Sequence, residues 1–307
     1  MARDAVERLG RAYLGNLRLP ANCKEITFSG FSIKKSPNCY RWISIQREDG
    51  TKETVLTSPT EDELEPGYPV CEYYLELDLG KGDRFAFEQA EERLVWALTR
   101  LRLYKPGMLW GAFWAMYYPP DDVAGCSLMT RVHTEAPYTR TYSGGYGGVL
   151  DIKKDEVKKL VNFVNGLPKE PPKAFATAID RYHLYFDRDS VTDRAIDLMI
   201  VLESLFSDDN EAIAYKIALR AAFLIEHEAA KRKALFGFLK KAYGERSHIV
   251  HGKKGSNWFE KTEAEHNLTN IERLEGVVQS SLRILLRQAQ QGTVQKPANI
   301  DTYLLFT

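Results

Sequence analysis

The chain has 307 residues, with 42 lysines and arginines against 42 aspartates and glutamates, a hydrophobic fraction of 44% and an aromatic fraction of 11%. That length fits two ordinary domains better than one, and the apolar content can supply real cores, which excludes wholesale disorder. A formal net charge of zero excludes coating of nucleic acid by bulk electrostatics, so any such contact has to come from a local basic patch.

The amino terminus, MARDAVERLGRAYLGNLRLP, mixes charges and holds no apolar run of signal-peptide length. No stretch of about 18 or more apolar residues follows, so no membrane span and a cytoplasmic protein are expected. The first half reads as strand-rich. Segments near 25–33 (EITFSGFSI), 40–47 (YRWISIQR) and 70–79 (VCEYYLELDL) carry β-branched and aromatic residues in partial alternation. Ser36-Pro37-Asn38, Glu48-Asp49-Gly50 and the Pro- and acid-rich stretch around 58–68 read as turns between them. FEQAEERLVWALTRLRL, 87–103, has helical spacing through Ala90, Leu94, Ala97, Leu98 and Leu101. Lys105-Pro106-Gly107 should stop it. Strand-like text resumes at 109–118 (LWGAFWAMYY), whose aromatic residues read as β core rather than as a stacking surface for bases. Cys23, Cys39, Cys71 and Cys126 are widely spaced and form neither a zinc pattern nor a disulfide framework, so reduced thiols are expected. SGGYGG at 143–148 lacks the Gly-Lys-Ser/Thr of a phosphate loop and reads as a connection between domains.

From about 151 onward the text is helical. The predicted segments are 155–167, 174–186, 191–206 (capped by Ser190 with Asp193 three residues on), 211–227, 229–250 and 260–290. Short polar connections imply antiparallel neighbours and an up-and-down bundle. The expected fold class is therefore α+β: a mixed, strand-rich domain over 1–150, of unknown role, followed by an all-α bundle over 151–307.

GERSHIVHG, 244–252, concentrates Arg246, His248 and His251 at the end of a predicted helix, with Gly252 as a left-handed cap. Leu235, Leu239, Ala242 and Ile249 fall on its core side. Five positions separate Arg246 from His251, which means about 140° of rotation and a rise of about 7.5 Å on an ideal helix. A long guanidinium and an imidazole at that separation can still converge on one phosphate-sized group, whereas His248 points elsewhere. Histidine can move a proton near neutral pH, and arginine's donor fork suits a phosphate and its extra transition-state charge. Lys231-Arg232-Lys233, Lys240-Lys241 and Lys253-Lys254 surround the motif in sequence. They attract a phosphate backbone on one reading and complement the helix dipole on the other. Among these, Lys240, Lys241, Lys253 and Lys254 are the candidate RNA contacts.

Tyr-x-x-Arg-Ser-x-Ile-Val-His-Gly around Tyr243, Arg246, Ser247 and His251, together with VLESLF at 201–206, resembles the Apea-like branch of the HEPN superfamily. The likeness covers roughly 174–290. It implies an all-α bundle and metal-independent RNA cleavage at a site composed when two chains of a homodimer bring their Arg-x4-His motifs together. It implies Arg246 and His251 as the catalytic pair; Glu203 stands at the family's acidic position and either orients Arg246 or lies on a partly exposed edge. Tyr243, Ser247 and His248 are supporting positions, and no cofactor or metal is implied. The setting of such ribonucleases is prokaryotic defence or stress response, with the first domain selecting substrate, protein regulator or trigger. Two departures stand out. Ser247 follows the arginine where many ribonucleases of the superfamily have Asn, Asp or His, and Lys253 stands where one subgroup has a modifiable tyrosine. The competing reading is a non-catalytic RNA- or protein-binding module in which Arg246 pairs with Glu203 and His251 merely caps a helix. Elsewhere, His227 and His266 read as solvated, His183 as a packed histidine with one hydrogen bond, and His133 as part of a loop or strand of the first domain.

Overall fold

The computed structural model describes residues 7–15, 17–46, 52–57, 70–81, 87–105, 107, 109–117, 149–188, 190–207, 209, 211–252, 257–263, 268–293 and 301. The predicted connection at 143–148, His133, His266, Cys126, Lys253 and Lys254 lie outside these residues. The chain divides into two compact units, Met1–Asn165 and Gly166–Thr307. No helix among the described residues is long and apolar enough to cross a membrane.

The first unit contains β1 (Glu7–Gly15), β2 (Leu17–Arg18), β3 (Glu25–Phe28), β4 (Phe31–Gln46), β5 (Lys52–Thr57), β6 (Val70–Lys81), α1 (Phe87–Arg102), β7 (Trp110–Tyr117), β8 (Leu150–Asp151) and α2 (Val157–Asn165). Its antiparallel sheet has the order β3-β4-β6-β1-β7, with β5 also paired to β4. EITFSGFSI, expected as one strand, is a hairpin: Phe28 pairs with Phe31 across Ser29-Gly30, and Gly30 takes the φ of 96° that the turn requires. The expected turn at 36–38 is instead an irregularity inside the single strand β4. Its partners on β6 shift between Lys35 and Tyr40, so extra residues bulge without ending the ladder. β1 and β5 carry no predicted strand. β1 nevertheless lies inside the sheet between β6 and β7, with Ala12 and Leu14 buried.

Ala12, Leu14, Ile26, Ile33, Leu75 and Leu77 pack against Leu94, Ala97, Leu98 and Leu101 of α1. Leu150, Ile152, Leu160 and Val164 complete that same core. The boundary expected at 150/151 therefore falls at 165/166, because the apolar face of α2 is buried with the strand-rich unit.

The second unit contains α3 (Ala176–Tyr185), α4 (Val191–Phe206), α5 (Ile213–Ile225), α6 (Ala229–Val250), the two-residue strands β9 (Thr262–Glu263) and β10 (Leu268–Thr269), and α7 (Asn270–Gln290). Ser190 caps α4, its hydroxyl accepting from the backbone N–H groups of Thr192 and Asp193. The helix expected from 260 starts only at Asn270. Thr269 and Glu272 form a reciprocal capping box there, and the preceding residues pair as β9 and β10. α4 packs against α3, α5, α6 and α7, which explains why Leu198, Met199, Val201, Leu202, Leu205 and Phe206 are all fully buried. One buried acid on it, Asp197, is neutralised by Arg181 at 3.1 Å and Arg188 at 2.7 Å. Glu203 is the other polar group that matters on α4, because it lies toward α6.

Candidate functional site

α6 buries Leu235, Phe238, Leu239 and Ala242, leaving Ile249 only half-buried near its end. This core side places Arg246 beside α4. The guanidinium Nη2 lies 3.5 Å from Glu203 Oε2, with the two side chains 21% and 24% exposed, so neither wholly buried nor freely solvated. Arg246 Nε is buried and has no hydrogen-bond acceptor among the described residues. Tyr243, one turn earlier, sets its ring 5.8 Å from the guanidinium carbon, within reach of a cation–π attraction. Burial pushes the Tyr243 hydroxyl up from its ordinary range, and the adjacent Glu203 charge and a hydrogen bond to that carboxylate push it further the same way. Tyr243 therefore stays a neutral donor, and Glu203 collects a hydroxyl and a guanidinium at one point.

The motif's other half lies at the helix terminus. α6 ends at Val250, His251 is its cap with φ −86° and ψ 12°, and Gly252 turns left-handed at φ 66°. The His251 N–H donates to the Ser247 carbonyl at 3.1 Å, and the Gly252 N–H to that of Ile249 at 3.0 Å. The imidazole of His251 is exposed, as is that of His248, while Ser247 is half-buried. Within one chain, then, Glu203, Tyr243 and Arg246 come together, whereas His251 stands on the solvent side of the helix end.

The basic residues divide in a similar way. Lys241 sits over the Trp258 ring at 5.4 Å and Lys240 over the Phe236 ring at 5.7 Å, both with exposed side chains. Phe236 drew no attention in the sequence, although its four-residue spacing from both Arg232 and Lys240 places all three on one stripe of α6. Of the other histidines, His227 is exposed, and His183 is buried with Nε2 3.7 Å from Asp187 Oδ2.

No family model, curated protein or solved structure matches this chain.

Proposed function

We propose that the helical unit is a HEPN-like, metal-independent endoribonuclease whose site is composed from Arg246 and His251 of two copies of this chain. The observation that carries this reading is the Arg246 guanidinium, steered by Glu203 and Tyr243 on the core side while its side chain stays 21% exposed. Such a group is preorganised to receive an anion, and preorganised donors are worth more to a transition state than flexible ones. His251, exposed on a cap that Gly252 holds open, is free to reach a phosphodiester shared with a second copy. In the chemistry that follows, one imidazole takes the proton of the RNA 2′-hydroxyl as its oxygen attacks the adjacent phosphorus. A second imidazole, protonated, gives a proton to the leaving 5′-oxygen. The guanidinium carries the added negative charge on the phosphoryl oxygens. RNA is the substrate because DNA has no 2′-hydroxyl to attack with.

The second reading, a non-catalytic RNA- or protein-binding module, is favoured by one feature: Arg246 already has a carboxylate partner within its own chain. A cleavage assay separates the two. With EDTA present, purified full-length protein is expected to cut a fluorescent RNA. Arg246→Ala and His251→Ala should each lower the rate by at least about a hundredfold, the scale of a lost acid, base or charge-stabilising donor, while circular dichroism and oligomeric mass remain unchanged. Equal cleavage by both variants rejects the nuclease assignment, and no cleavage by the wild type favours the module.

A further inference from the structure

α5 is apolar almost all round: in IAYKIALRAAFLI only Tyr215, Lys216 and Arg220 carry polar groups. A helix of that composition is ordinarily covered on every side. Its inner side gives Ile217, Ala218, Ala221 and Leu224 to the core, yet Tyr215 and Phe223 remain 51% and 44% exposed. Eight positions apart, they project from one outer face about 12 Å long. Phe236 of α6 meets Tyr215 edge-on at 5.7 Å. Each phenylalanine of this surface has a cation over it: Arg232 on Phe223 at 4.6 Å and Lys240 on Phe236 at 5.7 Å. Arg232, Phe236 and Lys240 follow one stripe of α6, and the next residue on that stripe is Tyr243, which touches Arg246. Across its whole length α6 carries Lys231, Arg232, Lys233, Lys240, Lys241 and Arg246 against one acid, Glu245.

We propose that this aromatic and cationic face of α5 and α6 binds single-stranded RNA and leads its backbone toward Arg246 and His251. The destination rests on the nuclease reading above; the surface itself does not. Exposed rings stack on unpaired bases with little regard to sequence. A guanidinium held over Phe223 keeps N–H donors for a phosphate and a planar group that can stack with a base. Paired bases are hidden inside a duplex, so the rings gain nothing from one. The charge also argues against a second copy as the occupant, because a two-fold pairing would lay this net-positive patch on an identical positive patch.

The probe is a fluorescein-labelled 2′-O-methyl oligoribonucleotide of about 12 nucleotides, which cannot be cleaved because its attacking oxygen is blocked. Fluorescence anisotropy with the full chain should show the single strand bound more tightly than the same sequence in a duplex. Tyr215→Ala and Phe223→Ala should each weaken binding by about tenfold. Arg232→Gln and Lys240→Gln should each flatten the slope of log affinity against log salt by about 0.7. Unchanged binding in all four surface variants overturns the proposal. So does a loss of affinity that accompanies a change in oligomeric mass by light scattering, since the face would then hold another copy. If wild type binds in this variant-sensitive way but leaves unmodified RNA intact, the surface stands and the nuclease reading falls.

Discussion

Glu203 decides where the Arg246 guanidinium points, because a half-buried carboxylate between α4 and α6 holds both that group and the Tyr243 hydroxyl. Titration of a carboxylate can be followed more cleanly in the first unit. Glu156 Oε2 accepts from Lys105 Nζ at 2.7 Å and from the Lys153 N–H at 2.8 Å. The Lys105 hydrogen bond first, and the Lys153 backbone bond second, hold its carboxyl below the usual range. A depressed folded value means that the stabilisation exists above the unfolded value and is lost as the pH falls through the folded one. Glu156→Gln is therefore expected to lower the stability of the strand-rich unit by roughly 0.5–1 kcal/mol at neutral pH, the range for a partly exposed pair. The gap between wild type and variant should close on acidification from about pH 5 downward, as urea unfolding at several pH values would show. A gap that persists in acid would mean that packing, not charge, accounts for the loss.

At the scale of elements, helix ends fix where the motif stands. Thr269 opens α7 by accepting from the Glu272 N–H while Glu272 accepts from the Thr269 N–H at 2.6 Å. Thr269→Ala should cost about 1 kcal/mol by thermal unfolding, without affecting the motif at the end of α6. Gly252→Ala acts at the other kind of terminus. Among the described residues a Cβ there meets no neighbour within 4 Å, so the penalty is that of the left-handed backbone at φ 66°, about 1–2 kcal/mol. On the proposed nuclease reading, the same substitution should lower cleavage more than Thr269→Ala does, because His251 is the residue just before it. Comparing the two variants for rate and melting temperature separates a general loss of stability from a displaced histidine. Ser190, Thr269 and Gly252 illustrate terminal signals of different legibility. Ser190 and Gly252 stand out in the sequence as caps, whereas Thr269 is concealed within what reads as one long helical stretch.

For the whole molecule, the division at 165/166 has a direct consequence. Leu160 and Val164 are 1% and 0% exposed within the core of the first unit. A polypeptide of residues 1–165 is expected to fold, and one of residues 1–150 is not. Losing buried leucine and valine side chains at roughly 1–5 kcal/mol each approaches the entire stability of a small domain. Near-ultraviolet circular dichroism and amide dispersion in NMR would decide it; equally well-folded spectra for both would contradict the boundary.

Apolar patterning together with terminal signals such as Pro106, Ser190 and Gly252 located α1, α4, α5 and α6 closely, because both kinds of signal are local. The same local text marks Gly252 as a helix cap and puts Arg246 and His251 on different sides of α6. Only tertiary structure revealed β1 as an inner strand, since its partners Val70–Lys81 and Trp110–Tyr117 are distant in sequence and supply the pairing its own residues do not advertise. Only tertiary structure assigned α2 to the strand-rich unit, because an amphipathic helix specifies that it has a buried face and not which core receives it. That Tyr243 joins the Glu203–Arg246 pair already expected from the resemblance, and that the rings of α5 stay uncovered, were likewise decided by packing: which helix stands beside which cannot be read from the spacing within either one.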